Sequence, residues 1–234
     1  KRKKILICAH EFFDAPHIYG KNFFSDFYEW MEYIGKISNE TSYDWYIKNH
    51  VNQPGKYKIY QPATVKILKD FVKKYKNIKI LPNNYSHQQI LQEKVDFVLT
   101  VYGSIAYEYP YFNIPVINAT KNHPGRKYDF SITPKSKKEY GSILKNLDNL
   151  KFKINKDEIL EYYYLRFIYN GSYNWLVNYT EVLKEFKEWS NIYNDKFYNF
   201  YMKKFDKIKY TKNSKKYLDF INSNNYRIRD MDLN

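Results

Sequence analysis

A Gly-Ser pair followed by a carboxylate is the part of this chain whose residue types suit the binding of a phosphate. Gly103, Ser104 and Glu108 lie between two runs rich in β-branched and aromatic residues, 95–101 and 115–118. This order predicts a strand, a tight turn, a helix and a strand. Such a turn is where open α/β sheets bind ligands, and the N–H groups that begin the next helix favour an anion. A structural interpretation stays open, in which Gly103 permits the turn, Ser104 caps the helix and Glu108 complements the helix dipole.

The histidines are the second group that suits chemistry on an anion. All five fall in segments predicted to follow strands: His10, His17, His50, His87 and His123. Loops after parallel strands meet at one edge of a sheet, so we expect these side chains to lie near the Gly-Ser turn. No two of them have metal-ligand spacing on one element, so an imidazole that hydrogen-bonds a phosphate fits better than a metal site. The alternative is that they are unrelated surface residues.

The elements that must position these residues alternate along the chain. Strands are predicted at residues 4–9, 44–48, 78–81, 95–101, 115–118 and, briefly, 130–133, and helices at 23–34, 63–76 and 88–93. Gly35 is predicted to end the first helix, and Ser86 to cap the helix at 88–93. Strands that alternate with helices predict an α/β, Rossmann-like and mostly parallel sheet with helices on both faces.

The character of the chain changes near residue 138. Helices rich in Tyr, Phe and Lys are predicted at 139–147, 156–167, 175–189 and 194–205, and little periodicity follows residue 207. We therefore predict a sheet domain over residues 1–137 and a helical C-terminal extension over residues 138–234.

Composition narrows the classes of partner. The formal net charge of +14 favours an acidic partner such as an anionic membrane surface, a phosphorylated substrate or nucleic acid, although an AT-rich genome would also enrich lysine. Cys8 is the single cysteine, which excludes an internal disulfide and a Cys-rich metal site and indicates a reducing compartment. No stretch approaches the roughly 20 apolar residues of a membrane span.

Short motifs follow one another in the predicted sheet domain: Lys48-x-His50, Leu81-Pro82 before Ser86-His87, Asp96-Phe97-Val98-x-Thr100-x-x-Gly103-Ser104-x-x-x-Glu108, and Pro115-Val116-Ile117-Asn118. Over about residues 4–135 they resemble the donor-binding half of bacterial capsular polysaccharide glycosyltransferases with the GT-B fold. The Kdo-transferase, polysialyltransferase and glycerophosphotransferase groups of capsule and teichoic acid synthesis share this arrangement. Val51 stands where those families usually have proline.

The resemblance implies roles for individual residues. It implies that the donor nucleotide is bound by Lys48, His50, Ser86, His87, Gly103, Ser104 and Glu108, with Glu108 on the ribose. It places the loop after the first strand, with Glu11, Asp14 and His17, in the cleft between two GT-B domains. The candidates for catalysis are Asp14 and His17 of this loop and His50, which follows the second strand. The nucleotide sugar is the substrate, and neither a metal nor another cofactor is expected.

The function implied by the resemblance is transfer of a sugar from a nucleotide sugar to a growing capsular or surface polysaccharide. A polysaccharide or glycolipid is the expected acceptor, and the expected place is the cytoplasm, at the inner face of an anionic membrane, without nucleic acid. The general base is expected in an N-terminal domain that this chain lacks, so that the chain alone binds donor and turns over poorly. The alternatives are a nucleotide-sugar epimerase or polyol-phosphate transferase on the same fold, and a non-catalytic basic domain that binds membrane or nucleic acid.

Overall fold

The computed structural model describes residues 2–12, 22–50, 61–169, 179–187 and 194–204, with isolated positions between 211 and 222. The chain divides into two compact units, Lys1–Leu160 and Glu161–Asn234. All of the candidate site residues that the structure describes belong to the first unit. The predicted division between residues 1–137 and 138–234 stays a prediction.

In the part of the chain that the structure describes, five parallel strands form one sheet in the order β3-β2-β1-β4-β5. The strands are β1 (Lys4–Cys8), β2 (Asp44–Lys48), β3 (Ile78–Ile80), β4 (Phe97–Thr100) and β5 (Val116–Asn118), each within two residues of its predicted ends. Every position of β4 and β5 is buried, which explains why these runs are apolar without alternation. The direction of the strand order reverses between β1 and β4, which pair from Ile5–Phe97 to Ile7–Leu99.

Helices cover both faces of this sheet, as predicted. In the first unit the helices are α1 (Phe27–Asn39), α2 (Gln61–Lys74), α3 (His87–Gln92), α4 (Ile105–Glu108) and α5 (Lys137–Lys145). The side chains of Ile5 and Ile7 pack with α1, α2 and α5, whereas Leu6 and Cys8 pack with α3 and α4. Successive residues of a strand point to opposite faces, so the short β1 contributes to two cores. The α/β, Rossmann-like fold is confirmed.

Helix α1 differs from its predicted bounds at both ends. It begins at Phe27 because the Asp26 carboxylate caps it and accepts a hydrogen bond from the Glu29 N–H at 2.7 Å. It continues past Gly35, which lies under the ring of Tyr75; a Cβ at Gly35 would meet that ring at 2.4 Å. The glycine therefore permits close packing instead of ending the helix.

Residues 130–133 also differ from prediction: they do not form a strand, and Ile132 makes a single bridge to Ile117 of β5. Further helices are α6 (Lys156–Tyr163), followed by a π-helical turn over Tyr164–Tyr169, α7 (Tyr179–Phe186) and α8 (Asp195–Lys204). Parts of the predicted helix 175–189 and most of the chain after residue 204 lie outside the described residues. None of the helices among the described residues combines the length and apolarity needed to cross a bilayer.

Replacing Gly35 by alanine is expected to lower the free energy of unfolding by about 1–3 kcal/mol, because the new methyl group overlaps the Tyr75 ring. Urea denaturation measures the change. Lys36→Ala is the matched control: Lys36 is the exposed next residue of α1, and we expect a change of less than about 0.5 kcal/mol. Intrinsic helix propensity alone favours alanine over glycine, so a more stable Gly35→Ala protein would contradict this packing.

Candidate functional site

A cleft of about 210 Å³ opens at the carboxyl ends of β1, β2 and β4. Its lining residues are Cys8, Ala9, His10, Lys48, Asn49, His50, His87, Thr100, Gly103, Ser104, Ile105 and Glu108. Strands β1 and β4 are the pair between which the strand order reverses, and open α/β sheets bind their ligands at such a point. Of the predicted donor-binding residues, all except Ser86 line this cleft.

Ser86 has a structural task instead. It caps α3 within a capping box: the Gln89 N–H donates to the Ser86 hydroxyl at 3.2 Å, and the Ser86 N–H donates to Gln89 Oε1 at 2.8 Å. The prediction that Ser86 caps this helix is confirmed, and the role of Ser86 in donor binding stays a prediction. Asp14, His17 and Val51 lie outside the described residues.

His10 holds the loop between β4 and α4. The backbone N–H groups of Val101 and Tyr102 donate to its Nε2, at nitrogen–nitrogen distances of 3.1 and 3.3 Å. The Thr100 hydroxyl lies 3.1 Å from the same nitrogen. A ring nitrogen that accepts from two amides carries no proton, so in the neutral ring the proton is on Nδ1. The Nε2 of His10 is thus an internal acceptor and does not donate to a phosphate.

Aromatic packing keeps this imidazole neutral. The His10 ring stacks on Phe27 with centroids 4.5 Å apart and an interplanar angle of 12°, and Trp30 approaches it edge-on at 6.0 Å. Burial, together with the charges of His50 and His123, lowers the pKa of His10 to about 3. The loop therefore keeps its acceptor throughout the physiological pH range.

The Gly-Ser turn uses its two residues differently. The Gly103 N–H donates to Thr100 Oγ1 at 3.0 Å, and a Cβ at Gly103 would meet that oxygen at 2.6 Å. Glycine is therefore required by this close approach to Thr100, a reason that the structural interpretation did not include. Ser104 has helical backbone angles and makes no side-chain capping hydrogen bond, and it is exposed at the cleft. The capping interpretation does not apply to Ser104.

Lys48 brings a buried positive charge to the cleft. Its Nζ donates to the Tyr85 carbonyl oxygen at 2.7 Å, and its side chain is held at the end of β2 with 6% exposure. No ion pair joins Lys48 to a carboxylate among the described residues. Burial raises the pKa of Cys8, the neighbouring thiol, to about 12, so this thiol stays protonated.

His87 is oriented by Tyr109. The Tyr109 Oη lies 2.7 Å from His87 Nδ1, and the two rings meet at 80°. Burial, followed by the charges of Cys8 and Glu108, raises the pKa of Tyr109 far above its usual value, so its buried hydroxyl keeps a proton that needs an acceptor. Donation to Nδ1 leaves the proton of a neutral His87 on Nε2. Burial and then the charge of Lys48 lower the pKa of His87.

Sequence reasoning missed three contributors to this site. Thr100 was part of a motif but had no assigned role. The sequence feature that could have identified it is a hydroxyl group at the end of an apolar strand. Tyr109 has the helical spacing of a core aromatic residue, and Asn49 stands between two predicted site residues. Among the described residues, no group of three or more His, Cys, Asp or Glu side chains is placed to hold a metal ion. That the protein uses no metal stays a prediction.

No family model and no curated protein matches this chain. One solved structure to which it is similar is the crystal structure of UDP-GlcNAc 2-epimerase from Neisseria meningitidis bound to UDP-GlcNAc, at 16% sequence identity and a TM-score of 0.43. The match covers 68% of this chain and 41% of the epimerase chain, so this chain corresponds to less than half of that enzyme's length.

The free energy of unfolding is expected to decrease as the pH is lowered, because His10 binds a proton more readily in the unfolded chain. The unfolded chain binds this proton near pH 6.5, whereas the folded protein binds it near pH 3. The contribution of neutral His10 is thus complete above pH 6.5 and is lost as the pH falls towards 3. At pH 5 we expect the free energy of unfolding to be lower than at pH 7.5 by about 2 kcal/mol from this residue. Urea denaturation at the two pH values measures the difference.

His10→Gln separates this effect from the titration of carboxylates. Its side-chain oxygen still accepts from the loop amides, yet it does not titrate. We expect the difference between pH 7.5 and pH 5 to shrink by most of the His10 contribution. An unchanged difference would show that His10 is not the neutral acceptor of this loop.

Proposed function

We propose that this chain binds the nucleotide part of a nucleotide-sugar donor and serves as the donor-binding part of a glycosyltransferase of capsular or surface polysaccharide synthesis. The observation that carries the proposal is the convergence of Lys48, His50, His87, Ser104 and Glu108 on one cleft where the strand order reverses. Among its described lining residues, the cleft combines cationic and neutral donors with a single carboxylate, Glu108. A nucleotide sugar offers both the anion and the hydroxyl groups that these side chains suit.

The anionic part of the donor is matched to Lys48. A buried ammonium without a carboxylate partner is unfavourable, and a phosphate would compensate it. The ammonium has three N–H groups, of which one donates to Tyr85. The Nε2–H of His87 and the hydroxyl of Ser104 add neutral donors on the same cleft. These groups suit a phosphate without a Walker lysine or a bound cation.

Glu108 is matched to the hydroxyl-bearing part of the donor. A carboxylate repels a phosphate but accepts hydrogen bonds from vicinal hydroxyl groups. Glu108 is the last residue of α4, and its charge acts on Cys8, His87 and Tyr109. A site for inorganic phosphate alone would gain nothing from this group. Ribose or the transferred sugar therefore belongs beside Glu108.

In the proposed transfer, an acceptor hydroxyl oxygen forms a bond to the anomeric carbon while the bond from that carbon to the phosphate oxygen breaks. The acceptor proton goes to a base, and the nucleotide leaves with the added negative charge. Lys48 and His87 would stabilise that charge where it develops. The catalytic roles of Asp14, His17 and His50, a polysaccharide or glycolipid acceptor and an anionic membrane surface remain parts of this proposal.

Binding of one nucleotide from a panel of UDP, GDP, CDP and CMP is expected, and calorimetry measures it. Ser104→Ala and His50→Ala are each expected to weaken it about 10- to 100-fold, the range for a lost hydrogen bond to a charged group. Ser142→Ala is the matched control: Ser142 is exposed on α5, and its hydroxyl donates to the Lys138 carbonyl oxygen at 3.0 Å.

The rival functions give different results in the same preparation. Failure to bind any of the nucleotides, with tight and salt-sensitive binding to anionic vesicles or oligonucleotides, would replace the proposal with a non-catalytic basic domain. Where a nucleotide sugar binds, an acceptor-dependent polymer supports a transferase. An isomerised nucleotide sugar without a polymer would indicate an epimerase.

Donor binding is also expected to take up a proton. His87 has a lowered pKa in the empty cleft, and a nearby phosphate would raise it by favouring the imidazolium. Affinity should therefore increase as the pH falls from 8 to 6. Calorimetry with UDP-glucose and GDP-mannose in two buffers of different ionisation enthalpy measures the uptake, because a nucleoside diphosphate sugar does not itself titrate near neutrality. Uptake should decrease in His87→Gln; proton release on binding would contradict this assignment.

A further inference from the structure

Two groups of the proposed donor site depend on one short segment, residues 85–87. Tyr85 holds Lys48 at the cleft, because the Lys48 Nζ donates a hydrogen bond to the Tyr85 carbonyl oxygen at 2.7 Å. His87, two residues further on, lines the same cleft, and its Nδ1 lies 2.7 Å from the Tyr109 hydroxyl oxygen. The placement of this segment therefore determines where both the ammonium and the imidazole lie.

The segment is fixed by hydrogen bonds between Ser86 and Gln89. The N–H and the hydroxyl of Ser86 both donate to Gln89 Oε1, at 2.8 and 3.0 Å, and the Gln89 N–H donates to the Ser86 hydroxyl oxygen at 3.2 Å. Helix α3 has only six residues and begins at His87, so this capping box covers its first three positions. So short a helix is unstable by itself in water, and we expect its first turn to open without the box.

Packing beneath α3 is incomplete, so it does not fix the segment by itself. A cavity of about 160 Å³ is bordered by residues of β1, of β2 and of α3: Lys4, Leu6, Tyr46, Leu81, Tyr85, Ile90, Glu93 and Val95. Tyr85 directly precedes the capping box, and Ile90 is the buried residue of α3. Side chains that border a cavity lack part of their contacts, so the hydrogen bonds of the box contribute more to the position of the segment.

The capping box lies beside the cleft and not in its wall. Ser86 and Gln89 are exposed, and neither is among the described residues that line the cleft. Their hydrogen bonds with each other also occupy the side-chain groups that a donor would otherwise contact. The geometry thus connects these two residues to the donor through Tyr85 and His87.

We propose that Ser86 and Gln89 are positioning residues of the donor site. Their hydrogen bonds hold the Tyr85 carbonyl oxygen against Lys48 and keep His87 in the cleft, so that a phosphate meets both groups together. This inference rests on the proposed function, because it concerns groups that we assign to the phosphates. It gives Ser86 an indirect role in donor binding.

The test measures nucleotide affinity by calorimetry on the whole chain, with the best ligand among UDP, GDP, CDP and CMP. The variants are Ser86→Ala, Ser86→Thr and Gln89→Ala. Ser136→Ala is the matched control for loss of a cap: Ser136 caps α5, the Glu139 N–H donates to its hydroxyl oxygen at 3.1 Å, and it does not line the cleft. Gln88→Ala is the control for Gln89, as an exposed neighbour on α3. Circular dichroism and the thermal midpoint verify that each variant is folded.

We expect Ser86→Ala to weaken nucleotide binding about 3- to 30-fold, the range that corresponds to loss of a helix cap. Gln89→Ala should weaken it by a smaller factor of at least about 2, because the Ser86 hydroxyl still accepts from the backbone N–H. Ser86→Thr keeps the hydroxyl and should restore binding to within about 2-fold of the wild type. Both controls should bind as the wild type does, although Ser136→Ala should lower the thermal midpoint about as much as Ser86→Ala.

Proton uptake gives a readout that a general loss of stability would not change. Ser86→Ala should take up fewer protons on binding a nucleoside diphosphate sugar, because His87 is no longer held beside the phosphates. Among the described residues, the titratable side chains that contact His87 or act on its charge are Lys48, Glu108 and Tyr109, and these variants leave all three unchanged. Ser136→Ala should keep the proton uptake of the wild type.

Weaker binding in Ser86→Ala but not in Gln89→Ala would indicate that Ser86 contacts the donor directly, which overturns the positioning role. Equal weakening in Ser136→Ala would reduce the effect to stability and also overturns it, as does wild-type binding by folded Ser86→Ala. In each of these results the wild type still binds a nucleotide, so the proposed function stands. A wild type that binds none of the nucleotides overturns the proposed function and this inference together.

Discussion

The acceptor nitrogen of His10 is the constraint on which the cleft depends. It joins the end of β1 to the loop after β4, and these are the two strands between which the sheet reverses its order. Because its ring is stacked on Phe27 of α1, the same imidazole also connects the loop to the main core. An acceptor inside a protein works only while it is unprotonated, so its low pKa is a structural requirement. The position of the Gly-Ser turn thus follows from packing beneath the sheet as well as from the turn itself.

The ionisable groups of the cleft have separate tasks because their surroundings differ. Cys8 and Tyr109 are kept protonated by burial, so they contribute shape and a hydrogen bond without adding charge. Lys48 is a buried cation that lacks a carboxylate partner among the described residues, and Glu108 of α4 brings a negative charge to the same cleft. A cleft that holds charges of both signs favours a ligand that is anionic in one part and rich in hydroxyl groups in another. This combination of charges, more than the overall excess of lysine, connects the structure to its proposed ligand.

Local sequence signals were sufficient for the sheet and insufficient for most of the detail in the site. Buried parallel strands require unbroken apolar runs, so all five strands were predicted. Loops that follow such strands converge at one edge of the sheet, and this rule correctly predicted that His50, His87 and Ser104 lie together. The role of Gly35 could not be inferred, because its partner Tyr75 is distant in the chain. The same holds for Tyr109 and His87, whose hydrogen bond depends on tertiary packing. His10 was predicted at the correct edge of the sheet. Its Nε2 accepts hydrogen bonds instead of donating them because of backbone amides at the end of β4, which sequence alone does not bring to it.

The close approach of Gly103 to Thr100 has a consequence for how related chains can be recognised. A Gly-Ser pair by itself is common, because any tight turn before a helix accepts it. Here the glycine is required by a hydroxyl three positions earlier, and that hydroxyl contacts a histidine that follows a strand near the start of the chain. The informative unit is therefore a split signature, a histidine just after the first strand and a distant Thr-x-x-Gly-Ser, whose members are meaningful only together. A chain that kept the glycine and serine but lost the other two residues would share a turn with this protein without sharing its site.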